Sequence, residues 1–424
     1  MKWRLESDGT TRTAAYKHLD IRSVTATDYT LSLSDDYSLI TFNTTSEGVI
    51  RIPSNTDVAF PVGTLIEVWQ TNIGQANIQA NPDVSLNGLV QGTTASQGAY
   101  SSASLRKVGL NAWLVAGGFD PVAVIPVPGQ QNGIFGLGYN PASSTYYSLT
   151  NIVTSTGAFG NDVTTIALGR QGLAAATYGG DKGIFAFGTE TAGLGDAYSQ
   201  LVSNTGVMGA SSLCAGTSRY YLGACSYGGD KAIFGFGQSG TIVSVTNLVS
   251  NTGVIASDTA GVGTARYSVY ACGYGLDKGI FAFGIIPGST SVSTSNLVSN
   301  TGVVATDTTN AVSARRAGAA CGYGGDKGIM GYGYSGVGSG FVGYTNLVSS
   351  NGVIASDVAD VGTPRSFLAA CGYAGDRGVF AYGFGGGATV LNISNKVSNT
   401  GIVTGEDAGV GTARGYLAAC SFGG

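Results

Sequence analysis

An eleven-residue string, Tyr-Gly-Gly-Asp-Lys-Gly-Ile-Phe-Ala-Phe-Gly at 178–188, returns in kindred form at 227–237, 274–284, 323–333 and 373–383, with arginine in the lysine position at Arg377. Two incomplete copies flank the series. Gln131-Asn-Gly-Ile-Phe keeps only the second half, and Ser421-Phe-Gly-Gly keeps only the first. Aligning Ile134, Ile184, Ile233, Ile280, Ile329 and Val379 gives steps of 50, 49, 47, 49 and 50 residues. A second series, Gly157, Gly206, Gly253, Gly302, Gly352 and Gly401, steps independently by 49, 47, 49, 50 and 49. The region 131–424 is therefore six copies of one unit, and the two missing halves lie at its opposite ends.

Each unit reads as four short strands: Leu-Ala-Ala-Cys-Gly-Tyr, Gly-Ile-Phe-Ala-Phe-Gly, Asn-Leu-Val-Ser and Gly-Val-Ile-Ala-Ser-Asp. Helical spacing is nowhere sustained. Four strands in 40–50 residues is the pattern of a propeller blade. The expectation is a six-bladed β-propeller closed by pairing of the last strand, 417–422, with the first repeat strand, 133–138, which leaves no open sheet edge. Small residues in Leu-Ala-Ala-Cys-Gly suit a strand near the axis, where space is least. The aromatics of Gly-Ile-Phe-Ala-Phe-Gly suit the gap between adjacent sheets. The glycines of Tyr-Gly-Gly-Asp-Lys-Gly permit positive φ in the connecting hairpin.

Residues 1–120 lack the repeat and carry all three tryptophans, Trp3, Trp69 and Trp113. Apolar or alternating runs at 29–33, 38–42, 48–52, 64–69, 76–80, 104–108 and 112–116 are separated by turn-forming residues, the pattern of a small antiparallel sandwich or barrel. Three prolines in 121–128, after Gly117-Gly118, predict an extended linker over 120–130. With 69 glycines, 43% apolar and 11% charged residues, two or three β-rich domains are expected. Net charge is −4, with eight basic and eleven acidic residues in 1–120 against thirteen and fourteen in the rest, so neither part is a basic nucleic-acid footprint. No apolar run follows the first residues as in a secretory signal, and none approaches a bilayer's width, so synthesis in a cytoplasm without membrane insertion is expected.

Five of six cysteines, Cys225, Cys272, Cys321, Cys371 and Cys420, hold one repeat position, where the first repeat has Ala176. They read as small buried hydrophobes rather than disulfides or metal ligands, since there is no Cys-x-x-Cys pair and His18 is the only histidine. No metal or cofactor is expected. Charge obeys the repeat as well. Arg170, Arg219, Arg266, Arg315, Arg365 and Arg414 each precede the Cys/Ala position by six residues, and Asp162, Asp258, Asp307, Asp357 and Glu406 each precede an arginine by eight. Charges placed once per blade read as ion pairs or backbone clamps between blades; the rival is a ring of arginines binding anions at one channel mouth. The aspartates of the glycine hairpins read as turn formers.

Catalysis is not expected. One histidine outside the repeats excludes Ser–His–Asp or Cys–His chemistry in the propeller, glycine strings lack a following helix for phosphate, and Asp357 with Asp360 is no unique pair because other blades repeat Asp357. What differs among the units is the loop after the aromatic strand, at 139–150, 189–199, 238–246, 285–295, 334–345 and 384–394. Tyr139, Tyr146, Tyr147, Tyr198, Tyr334, Phe341, Tyr344 and Phe384 in these loops form the candidate ligand-binding rim, suited to stacking on sugars or to a protein surface, against the plainer alternative of tyrosines packed locally.

Two resemblances extend this. The run Ile50-Arg-Ile-Pro-Ser-Asn, Phe60-Pro-Val-Gly-Thr-Leu-Ile-Glu-Val-Trp, Gly74-Gln-Ala-Asn, Leu86-Asn-Gly, Ala103-Ser-Leu-Arg-Lys-Val-Gly and Ala112-Trp-Leu-Val-Ala-Gly-Gly resembles a β-module common in tailed-bacteriophage structural proteins, tail fibres above all. The repeat unit is similar to a kelch-type propeller repeat, with Arg, an apolar strand, Gly-Gly and an apolar-aromatic strand ending in Gly, but without the tryptophan usual in the fourth strand. The resemblance implies a virion protein, often trimeric, with 1–27 as an attachment arm and 28–119 as the module. It implies other virion proteins as partners of the N-terminal part and a host surface glycan or protein as partner of the propeller. The alternative is a head-decoration, collar or baseplate component whose propeller contacts its neighbours in the particle.

Overall fold

A computed structural model describes residues 20–43, 48–71, 76–87, 89–90, 93–96, 102–117, 119–122, 131–190, 195–336, 340–386 and 389–423. The chain divides into two compact units, Met1–Val124 and Ile125–Gly424. Almost every regular element is a strand.

The second unit is a six-bladed β-propeller. Its innermost strands are Ala418–Phe422 in blade 1, then Ala174–Tyr178, Gly223–Tyr227, Tyr270–Tyr274, Ala319–Tyr323 and Ala369–Tyr373 in blades 2 to 6. Outward in each blade follow the strand of the glycine hairpin, for example Lys278–Ala282, then Thr294–Val298 and a short outermost strand, Thr308–Thr309. Blades 3 and 5 replace that last strand by single bridges, Thr246 to Thr259 and Thr345 to Val358. In blade 1, Asn132–Gly136 pairs antiparallel with Ala418–Phe422, Asn132 opposite Phe422 and Gly136 opposite Ala418. Neighbouring inner strands touch all the way round, Ala418–Phe422 meeting both Ala369–Tyr373 and Ala174–Tyr178.

Burial explains the composition of each strand. The hairpin strands are covered on both faces by adjacent blades, so Lys-Gly-Ile-Phe-Ala is buried after its first residue rather than alternately. Three closed circuits of six backbone hydrogen bonds link the blades. On the hairpin face, Gly179, Gly228, Gly275, Gly324, Ala374 and Gly423 donate N–H to the carbonyls of Asp230, Asp277, Asp326, Asp376, Gln131 and Asp181. On the loop face, Gly138, Gly188, Gly237, Gly284, Gly333 and Gly383 donate to Arg170, Arg219, Arg266, Arg315, Arg365 and Arg414. The third circuit surrounds the axis and is described below.

Side-chain size is matched across the blade interfaces. A Cβ built on Gly133, Gly183, Gly279, Gly328 or Gly378 would overlap the sulfur of Cys371, Cys420, Cys225, Cys272 or Cys321, each from the preceding blade. The exception is compensated: blade 2 carries Ala176 in place of cysteine, and Ala232 in blade 3 stands where the others have glycine, both in one buried cluster. Ala176→Cys alone should therefore destabilise by about 1–3 kcal/mol through overpacking. The Ala176→Cys/Ala232→Gly pair should recover at least about 1 kcal/mol of that loss. Chemical denaturation of the four variants measures the coupling; a single cysteine variant as stable as the parent would contradict the match.

In the first unit, a sheet ordered Asp20–Val24, Ser38–Phe42, Leu65–Gln70, Ser102–Gly109, Ala112–Gly117, Ser85–Leu86, Leu89–Val90 and a sheet ordered Phe119–Val122, Thr93–Ser96, Ala76–Ala80, Gly48–Ile52, Asp28–Thr30 share one core. Ile40, Phe42, Ile66, Val68, Leu105 and Trp113 of the first sheet meet Ile50, Ile52 and Ile78 of the second. The expected antiparallel order is only partly found. Successive strands step between the two sheets, so several neighbours within a sheet run parallel: Asp20–Val24 with Ser38–Phe42, Ser38–Phe42 with Leu65–Gln70, and Gly48–Ile52 with Ala76–Ala80. An alternating pattern identifies a half-buried strand but is silent on the direction of its partner. Residues 20–24, placed in the expected arm, are a sheet strand, and residues 119–122, at the start of the expected linker, pair with Thr93–Ser96; 1–19 and 123–130 lie outside the described residues.

Candidate functional site

The loop face of the propeller is built around the six repeat arginines, all completely buried. Arg266 shows the arrangement. Its Nε donates to the Phe283 carbonyl at 2.9 Å, Nη1 to the Thr264 carbonyl at 3.2 Å and Nη2 to Asn296 Oδ1 at 2.5 Å. Nη1 also lies 3.8 Å from Asp307, and the guanidinium sits 4.1 Å from the Phe236 ring centroid. The polar partners belong to the arginine's own blade, and the ring comes from the preceding one. Sequence proximity misleads here: Asp258, Asp307, Asp357 and Asp162 pair with Arg219, Arg266, Arg315 and Arg414, not with the arginines eight residues downstream. The clamp expected between blades thus acts mainly within a blade, crossing its strands, with the stacked ring as the link to the neighbour. Burial pushes the Asp307 carboxyl up, but donors from Thr264 and Asn296 and the Arg266 charge outweigh it and hold the group below 3.8. A guanidinium with no accessible surface has no face to offer an anion.

Blade 2 departs from this scheme in a concerted way. Gln200 and Ser211 replace the Asn and Asp of other blades, the Leu168 N–H donates to Ser211 Oγ, and Arg170 donates to the Tyr198 carbonyl and to Gln200 Oε1. Leu137 occupies the position of the stacked ring, and Arg170 Nε, like Arg315 Nε and Arg365 Nε, has no partner among the described residues.

Two residues after each arginine the chain turns into the inner strand, and there the third circuit closes around the axis. Tyr221 donates N–H to the Gly172 carbonyl, Ser268 to Tyr221, Ala317 to Ser268, Phe367 to Ala317, Tyr416 to Phe367 and Gly172 to Tyr416, at 2.6–3.1 Å. All six residues have φ between 51° and 63°. A left-handed tyrosine or phenylalanine is disfavoured on its own, and here the closed hydrogen-bond circuit holds it. Side chains of Tyr221, Phe367 and Tyr416 fill the mouth, with centroids 4.2 Å apart for Phe367–Tyr416 and 5.7 Å for Tyr221 with each of the others. They line a cavity of about 70 Å³ with Gly172, Ser268 and Ala317. Tyr139, Tyr220, Tyr267 and Phe384 ring this cluster.

The sequence-predicted rim is divided by this geometry. Tyr139 and Tyr146 pack at 4.6 Å between centroids, tilted by 41°, and join the axial cluster through Tyr416, as does Phe384, which is buried. Tyr334 and Phe341 form a separate edge-on pair beside Arg316. Tyr344 packs on Arg315 and Tyr198 lies near Arg170, while the Tyr147 N–H donates to the Gly138 carbonyl, so these three are tied to the scaffold. Tyr220, Tyr221, Tyr267, Phe367 and Tyr416 were missed. Their signal was available: the two positions after each arginine vary from blade to blade, the first reading Gln, Tyr, Tyr, Arg, Ser, Gly and the second Gly, Tyr, Ser, Ala, Phe, Tyr, while the arginine itself is constant.

A scan against protein-family models finds no match, and a search of curated proteins finds no significant match.

Proposed function

We propose that this chain is a bacteriophage virion protein, a tail fibre or receptor-binding component, that binds the host cell surface with the loop face of its propeller. The observation that carries this is the aromatic mouth. Tyr139, Tyr146, Tyr220, Tyr221, Tyr267, Phe367 and Tyr416 are only partly covered, and the positions of Tyr221, Phe367 and Tyr416 carry Gly, Ser and Ala in the other blades. Partly exposed aromatics on a rigid frame are a recognition surface. In this reading the first unit is the phage-type sandwich module that fixes the protein to other virion proteins, the assembly is a homotrimer, and pairing of the chain ends is what closes the ring. The activity is binding rather than catalysis.

A second reading, a decoration, collar or baseplate protein, is favoured by one feature of the opposite face. Val207, Val254, Val303, Val353 and Ile402 stand 65–67% exposed at one repeat position, an apolar crown fit for protein contact. Antibody labelling of purified particles separates the two. Label at the tail tip, with adhesion of the full chain to host cells, is the expected result; label distributed over the head would overturn the receptor assignment.

A further inference from the structure

The loop face is not uniform, and a polar corner lies between blades 1 and 2. At the position after the repeat arginine the blades carry Gln171, Tyr220, Tyr267, Arg316, Ser366 and Gly415. Gln171 bridges to Thr189, with N–H···O contacts of 3.0 and 2.9 Å in the two directions. Its side chain lies beside the Tyr146 hydroxyl, and Tyr146 in turn packs on Tyr139, tilted by 41°, beside Tyr416. Gln171 is only 8% exposed, yet its Oε1 has no hydrogen-bond partner. Next in the chain, Glu190 has a buried Oε1 without a partner, and its N–H donates to Asp196 Oδ2 at 2.7 Å. A buried carboxamide oxygen left without a bond is costly unless something supplies it.

We propose, resting on the receptor-binding reading above, that this corner is a subsite for a neutral pyranose of a bacterial surface glycan. The sugar's C–H face lies on Tyr139 and Tyr146, and its hydroxyls complete Gln171 and Glu190. Three features select that chemistry. Two partly exposed tyrosine rings, tilted 41° to each other, offer an apolar wall with hydroxyls at its edge, which suits a pyranose. A hydroxyl both donates and accepts, so it satisfies the free end of the Gln171 carboxamide in either of its two flipped orientations. Glu190 and Asp196 repel acidic sugars, and the guanidinium that interacts with these two carboxylates, Arg170, is completely buried and engaged with Tyr198 and Gln200. Because the free Oε1 is covered, the sugar enters with a turn of the Tyr146 side chain.

The test uses the full chain on an array of neutral and acidic bacterial O-antigen and capsular oligosaccharides, with adhesion to a panel of bacterial isolates measured in parallel. Binding to neutral glycans, weakened at least about tenfold by Gln171→Leu and by Tyr146→Ala, is expected. Lys327→Ala in a glycine hairpin on the opposite face should leave binding unchanged, and cooperative thermal melting of each variant shows that it is folded. Adhesion to cells with a blank array, or glycan binding that the folded Gln171→Leu and Tyr146→Ala variants retain, would overturn the subsite while leaving the receptor reading in place. Absence of both adhesion and glycan binding would overturn both.

Discussion

Deleting residues 417–424 from the full chain should abolish the cooperative unfolding transition of the propeller. Leu417 belongs to the buried cluster between blades 6 and 1, and Ala418, Cys420 and Phe422 belong to the one between blades 1 and 2. Losing the burial of Leu417, Cys420 and Phe422 removes on the order of 5 kcal/mol. The deletion also strips Asn132–Gly136 of its inner partner and removes hydrogen bonds to both neighbouring blades: Ser421 Oγ to the Gly372 carbonyl at 2.8 Å, Thr177 Oγ1 to the Ser421 carbonyl at 2.8 Å, and Gly423 N–H to Asp181 at 2.7 Å. Together these losses rival the whole stability of an ordinary domain, about 5–15 kcal/mol. The measurement is simple because Trp69 and Trp113, like Trp3, lie in the first unit. Near-ultraviolet circular dichroism from tyrosine should collapse while tryptophan emission stays native, and a peptide spanning 415–423 should restore the tyrosine signal. A truncated chain whose tyrosine transition is intact would show that the chain ends do not close the ring.

The second large effect separates two arginines of the same repeat position. Arg266→Met should cost about 3–5 kcal/mol, the range for leaving buried polar partners uncompensated. The Phe283 carbonyl, Asn296 Oδ1 and Asp307 lose their cation, and Phe236 loses its stacked guanidinium. Arg170→Met should be far milder, under about 1.5 kcal/mol, because an apolar side chain of similar size replaces an imperfectly satisfied charge. Arg170 has no carboxylate within ion-pair distance among the described residues, no stacked ring from the preceding blade, and an Nε without a partner. Denaturant midpoints for the two variants decide it; equal losses would mean the carboxylate and ring contribute nothing.

The same clamp predicts an acid limit. Asp162, Asp258, Asp307 and Asp357 are all held below their ordinary value of 3.8 by donors from the arginine's own segment, against the opposing effect of burial. A carboxyl depressed in the folded state stabilises it above the unfolded pKa and loses that contribution as pH falls through the folded one. Propeller stability should therefore drop cooperatively below about pH 3.8, and Asp258→Asn with Asp307→Asn should flatten the drop.

Much of this molecule is legible from the repeat. The period, the six units, the places of the inner three strands, the glycine turns with Gly179 and Gly180 at positive φ and the burial of the five repeat cysteines all follow from spacing and residue size. The fourth strand expected at Gly-Val-Ile-Ala-Ser-Asp instead makes a single bridge in most blades, and the outer strand follows it, as at Thr308–Thr309. Local pattern suffices for these because each depends on residues within one unit. The glycine hairpin at 178–188, with its mix of Gly, Asp and Lys, is a blade hairpin whose Asp181 pairs with the adjacent Lys182 and whose backbone serves two of the circuits.

What the sequence could not decide are relations between units and across the chain. Asp307 lies eight residues before Arg315 yet serves Arg266, because the arginine opens a blade whose last strand comes some forty residues later. Ala232 looks like an irregular glycine until the interface sets it against Ala176. The axial aromatics are scattered among Gly, Ser and Ala in the sequence, and only ring geometry brings Tyr221, Phe367 and Tyr416 to one point. In the first unit the alternating strands were readable but their parallel partners were not. The sequence by itself determined the unit and its number, since periodicity is a one-dimensional property. Tertiary structure alone decided which residues face each other across a seam or an axis, since those contacts are set by closure in three dimensions and leave no fixed spacing along the chain.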